Sequence, residues 1–195
     1  MMFREFLRKT TDRVYTGLRL HYAEKTNPLH GEYWMYLRDG QTGALLEERH
    51  GTNIIVNSAS ILIARLLKDP NEPGGGITYL AVGTGGSGWN LQNPPQPTVT
   101  QTALFAEIGR KAFTTEDVTF IDPITGDPTI VPTNVVDYTA TFAETEAVGA
   151  WVEMGLFGGD ATSLINTGIE VNYRTFPVIN KGNSMTLTII FRITS

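Results

Sequence analysis

The residues best suited to chemistry form a glycine-rich turn, Gly83-Thr-Gly-Gly-Ser-Gly88, directly after the apolar run Ile77–Val82. Glycines let backbone amides come close to an anion, which is how phosphate-binding loops work. Such loops open a helix, yet here Trp89-Asn-Leu-Gln-Asn-Pro-Pro-Gln-Pro97 follows, with no Gly-Lys-Ser/Thr element. The turn is therefore read as a surface loop at one end of the fold. Glu144, Glu146 and Glu153 cluster in sequence around Trp151, and carboxylates beside an aromatic ring could serve as acid and base on a sugar. Glu144 and Glu146 fall in a predicted turn, where solvated charge is ordinary. Glu153 reads as the polar side of a strand or a partner for Arg110 or Arg192. Asp122 and Asp127 bring two carboxylates to one connector, short of the roughly six to eight oxygens that calcium takes.

His21, His30 and His50 show no metal-ligand spacing, and none of Ser58, Ser60, Ser87, Ser163, Ser184 and Ser195 sits in a Gly-x-Ser-x-Gly elbow. With no cysteine, thiol nucleophiles, thiolate zinc sites and disulfides are excluded. No catalytic, cofactor-binding or metal-binding residue is assigned, and the expectation is a non-enzymatic protein without a cofactor.

Positioning elements must come from a chain of 195 residues, 41% hydrophobic and 18% charged, which is enough apolar mass for one real core. A net charge of −5 disfavours a protein that grips nucleic acid, since that binding needs clustered cations. Arg4, Glu5, Arg8 and Lys9 interrupt the N-terminal apolar residues, so no signal peptide is read, and no apolar run reaches the roughly 20 residues of a membrane helix. The expectation is synthesis in the cytoplasm of the producing cell, without membrane insertion.

Residues 1–13 have a short amphipathic helix pattern, with Phe3, Phe6 and Leu7 at helical spacing. Val14–Tyr22 and Glu32–Arg38 read as strands, separated by the turn chemistry of Asn27-Pro28 and His30-Gly31. Asp39-Gly40 and Thr42-Gly43 turn the chain into a strand over Ala44–Arg49. A helix is predicted over Asn57–Lys68, capped by Asn57 or Ser58, with Ile61, Leu62 and Leu66 as its apolar stripe and Pro70 as its stop. Further strands are predicted at Ile77–Val82, Ala112–Ile121, Ile130–Phe142, Trp151–Phe157, Ile169–Phe176 and Met185–Ile193. In the fourth of these both faces are expected to be covered, and Gly83–Pro97 is expected to be a surface loop.

Short strands bounded by turns, with one helix and no strand–helix alternation, define a mainly β fold. It is an antiparallel β-sandwich, Ig-like or jelly-roll-like, with one embedded helix and an N-terminal arm. Residues 1–50 are expected to form the arm and first hairpin, packed on the sandwich or on a neighbour, and residues 51–195 the sandwich itself. Phe3, Phe6 and Trp89 are the interface candidates, with Trp89 exposed in a monomer and buried against a partner.

A run of segments resembles a family of phage virion proteins described as tail-fibre, collar or accessory structural proteins. It begins with Thr52-Asn-Ile-Ile-Val-Asn57, Ile61-Leu-Ile-Ala-Arg-Leu-Leu67 and Ile77-Thr-Tyr-Leu-Ala-Val-Gly-Thr-Gly85. It continues with Thr102-Ala-Leu-Phe-Ala-Glu-Ile-Gly-Arg110, Tyr138-Thr-Ala-Thr-Phe-Ala143, Trp151-Val-Glu-Met-Gly-Leu-Phe157 and Met185-Thr-Leu-Thr-Ile-Ile-Phe191. The likeness covers roughly residues 45–195, and its specificity lies in the succession of segments. It implies a particle component, a capsid decoration or a neck, tail or fibre part. The expected partners are other virion proteins and further copies of itself, with a host glycan, held through Trp89 and Trp151, as the alternative partner.

Overall fold

Alternation of apolar and polar residues places every second side chain on one face of a strand. The computed structural model describes residues 29–69 and 75–195, and these residues form ten strands. In chain order they are β1 (His30–Asp39), β2 (Leu45–Ile55), β3 (Ile77–Gly83), β4 (Glu107–Ala112), β5 (Val118–Ile121), β6 (Pro128–Thr129), β7 (Val135–Phe142), β8 (Gly149–Gly158), β9 (Ile169–Lys181) and β10 (Met185–Thr194). Among the described residues one α-helix, α1 (Ser58–Lys68), follows β2. All pairings are antiparallel, in the order β4-β3-β8-β9-β2-β1-β10-β7-β5-β6.

That continuous order folds over at β2. Residues Leu45–Asn53 pair with β1, then Ile54 and Ile55 pair with Tyr173 and Asn172 of β9. The two halves face each other: the Phe142 ring of β7 meets the Trp151 ring of β8 edge-on at 5.0 Å, although the two strands lie far apart in the pairing order. Between the halves lies a core of Tyr33, Met35, Leu37, Leu80, Met154, Leu156, Phe176, Leu187, Ile189 and Phe191, all buried. The expected β-sandwich is thus the observed architecture, with β8 buried on both faces and β10 contributing Leu187, Ile189 and Phe191 as its alternation predicts. The division expected near residue 50 falls inside β2. The first hairpin supplies two inner strands of the sheet.

The β1–β2 turn follows its sequence. Asp39 Oδ1 accepts from the Gln41 and Thr42 amides and the Thr42 hydroxyl, and Gly43 takes the positive φ of 72° that closes the hairpin. The hydrogen bonds from Thr42 hold the Asp39 carboxyl below its usual range.

Other expectations are corrected. The strand read over Ala112–Ile121 is two strands, because Thr114 and Asp117 close a reciprocal capping box around a 3-10 turn at Thr115–Asp117. The strand read from Ile130 begins at Val135: the Thr133 hydroxyl donates to the Ile121 carbonyl and accepts from the Val135 amide, diverting the intervening chain. Asn57 stands at the N-cap of α1 without a side-chain cap bond, and the Ser58 hydroxyl donates to the Glu170 carbonyl. The helix buries Ala59 and Leu62 and leaves Ile61 58% exposed, because the sandwich covers a narrower stripe than the apolar pattern offers. The helix and strand predicted before residue 29, with Phe3, Phe6, His21 and Asn27-Pro28, lie outside the described residues, as does Pro70.

Candidate functional site

Between β3 and β4 the chain runs from Thr84 to Ala106 across the outer face of β8 and β9. It is held there over a second, smaller core of Val56, Ala81, Leu104, Phe157 and Tyr173. What fastens it is Glu153, a fully buried residue on β8. Its Oε1 accepts from the amides of Gly85 (3.1 Å) and Ala106 (2.9 Å), and its Oε2 from the amide of Phe105 (3.0 Å) and the Tyr173 hydroxyl (2.8 Å). Four donors around one carboxylate satisfy a charge that burial would otherwise penalise. The Gly85 amide of the glycine-rich turn thus meets a carboxylate of the protein's own, within the segment expected to be a surface loop.

Gly85 is required where it stands: its φ is 77°, and a Cβ there would lie 2.5 Å from the Trp89 ring. Trp89 folds back over Gly85 and Gly86 and meets Phe105 at 4.8 Å between ring centroids, so it is half-buried within its own loop layer. Phe105, which sequence reasoning did not single out, is the more open ring at 58% exposure. With Pro95, Gln96, Tyr173 and Thr175, these two rings line a small cavity of about 170 Å3. The Thr175 hydroxyl donates to the Pro95 carbonyl, the Val178 amide to Leu91 and the Asn57 amide to Val99, which stitches the layer down along its length.

The other candidate carboxylates are scattered. Glu146 accepts from Lys111 Nζ with both oxygens at 2.8 Å and from the Ala143 amide, and the bond from Lys111 leads in holding its carboxyl below the usual range. Glu144 lends its backbone carbonyl, with that of Ala143, to the ammonium of buried Lys181, whose pKa burial lowers. Glu153 pairs with neither of the arginines expected for it. Arg110 forms a buried bidentate pair with Glu107 (2.6 and 2.8 Å) and reaches Thr162 and Thr167 in the β8–β9 connection, while Arg192 pairs with Asp137 at 2.7 Å. Asp122 Oδ1 accepts from the Ile124 and Thr125 amides, a turn-forming role, and among the described residues no group of three or more His, Asp or Glu is placed to hold a metal.

Of the buried acids among the described residues, one has no bond to its carboxyl. Glu170 of β9 is fully buried, and neither carboxyl oxygen has a hydrogen-bond partner. Burial above all, then the nearby Glu153 and Glu107, push its pKa up to about 9. It has no sequence signal beyond being an acid in a strand buried on both sides. Of the proposed aromatic contacts, Trp151 is wholly in the core with its indole N–H donating to Ala147, so it has no surface to offer a glycan.

The fold and the use of its charges define a structural β-sandwich whose buried acids mostly anchor its own loops. Residues 54–154 match the family described as baseplate wedge 3 tail fiber network component, more than half of the chain, and the chain belongs to this family of bacteriophage virion structural proteins. The match runs from the fold-over in β2 into β8 and includes the loop layer. The C-terminal segment Met185–Phe191 of the expected resemblance lies beyond it. Comparison with curated proteins and with solved structures gives no match.

Proposed function

We propose that the chain is a non-enzymatic connector on the exterior of the virion, joining neighbouring subunits of the tail baseplate through the loop layer over β8 and β9. The observation that carries this reading is the family match across residues 54–154, the region that contains the layer. Its description supports a place in the tail fibre network over capsid decoration or a collar. Phe105 beside Trp89, with Leu91 exposed on the same stretch, supports the layer as the contact, since aromatic anchors ringed by smaller groups are the usual centre of a protein interface. A structural role is supported further by the carboxylates: Glu146 and Glu153 are engaged in bonds within the protein, and Glu144 lies apart from Glu153 in the β7–β8 turn. Assembly as a symmetric homo-oligomer fits a part of this kind.

The test is incorporation into particles. Phe105→Ala, alone and with Trp89→Ala, should lower the copy number per particle while the purified variant keeps a cooperative unfolding transition. Phe3→Ala with Phe6→Ala tests the arm in the same assay. Particles carrying a full complement of the Phe105→Ala, Trp89→Ala chain would refute the loop layer as the contact.

A further inference from the structure

Where β2 leaves one half of the sheet for the other, the sandwich opens into a groove of about 850 Å3 between the start of β1, the end of β2 and the first turns of α1. Its walls are apolar at Ile54, Ala59, Ile63 and Val99. At its floor stands Asn53, 8% exposed, whose amide nitrogen and oxygen both lack a partner. The space it fills is opened by Gly31, since a Cβ there would overlap the amide at 1.9 Å. A buried amide with donor and acceptor both unmet is costly, and one peptide unit of a main chain, offering a C=O and an N–H together, is its complement. A second, apolar cavity of about 190 Å3 shares Leu29, Ala59 and Ile63 with the groove and continues it along α1.

We propose that this groove seats the segment Val14–Tyr22 of the same chain. Leu29 itself lines the groove, so the residues preceding it start from the site, and a short tether gives such a segment a high effective concentration. The segment has the alternation a half-covered groove selects, with Val14, Leu18, Leu20 and Tyr22 in one register and Arg19 and His21 in the other. Charge agrees: residues 1–28 hold six Lys and Arg against three Asp and Glu, whereas the whole chain carries −5, and Glu32 stands at the groove. Seating this segment leaves Phe3 and Phe6 upstream of it for contacts beyond the domain.

The experiment places a benzophenone amino acid at Val99, and separately at Ile63, both substantially exposed in the full chain, with a control at Ile124 on the distant β5–β6 hairpin. Irradiating a mixture of light and heavy isotope-labelled chains, followed by mass spectrometry, should give crosslinks to residues 14–22 within one chain from the groove positions and none from the control. Leu18→Asp combined with Leu20→Asp should lower that yield several-fold. Crosslinks between chains would make a second copy the occupant, and crosslinks only elsewhere, or none, would leave the segment outside the groove. Each overturns the proposal, as does an undiminished yield in the double variant. Particle incorporation plays no part in this readout, so the connector reading and the seat can fail separately.

Discussion

Replacing Glu170 by Gln removes a titrating proton from a place where the folded chain cannot accommodate a charge, and its effect is set by pH. Unfolded, Glu170 ionises near its ordinary 4.5; folded, burial holds it neutral up to about 9. The folded state therefore retains a proton that the unfolded state releases. Stability from this site is fully present below pH 4.5 and declines as pH rises toward 9, at about 1.4 kcal/mol per pH unit. Gln is neutral in both states and escapes this decline. Its stability relative to the parent should gain under about 1 kcal/mol at pH 5, about 3 kcal/mol at pH 7 and about 5 kcal/mol at pH 8.5. The new amide hydrogens also lack partners, which adds a penalty of about 1–3 kcal/mol that is the same at every pH. Urea unfolding of both proteins at the three pH values measures the difference. A gap that does not widen with pH would refute the reasoning, because it would mean Glu170 is as easily charged in the folded chain as in the unfolded one.

Glu153→Ala leaves the amides of Gly85, Phe105 and Ala106 and the Tyr173 hydroxyl without their acceptor, and should cost about 3–5 kcal/mol in denaturant unfolding. It should also admit protease between Thr84 and Ala106 before the sandwich itself is cut. Gly85→Ala meets both a φ of 77° and the Trp89 ring, so a loss of about 1–3 kcal/mol is expected, accompanied by a red shift in tryptophan emission as that ring is displaced. Phe142→Ala, emptying the site opposite Trp151, should cost about 3–5 kcal/mol and lower the thermal midpoint without changing incorporation per folded chain.

The strands were legible where alternation met a core of ordinary width. Met185–Ile193 and Trp151–Phe157 are both found, the second with both faces covered as its composition demanded. Boundaries were lost where side chains of Thr and Asp captured backbone groups, at Thr114–Asp117 and Thr133, because those bonds depend on what the turn faces and not on strand composition. The glycine-rich turn was read as a surface loop and its anion chemistry set aside; the carboxylate that its Gly85 amide meets was not foreseen, because it lies 68 positions along the chain, on a strand that shows only an isolated glutamate among apolar residues. Glu107 escaped for a related reason. Its pairing with Arg110 is local, yet its burial arises only when the β8–β9 connection closes over it. Trp89 was placed in the right loop, and its half-buried state follows from two glycines beneath it that sequence alone treats as slack.

The passage of one strand through both halves of the sandwich has a mechanical reading. Because Leu45–Ile55 belongs to both hydrogen-bonded ladders, pairing with β1 along most of its length and with β9 at Ile54 and Ile55, sliding one half against the other would strain a continuous backbone. A tug on the layer above β8 and β9 is delivered along that backbone to β1 and β10. The two halves are thereby joined by covalent backbone as well as by the core packed between them.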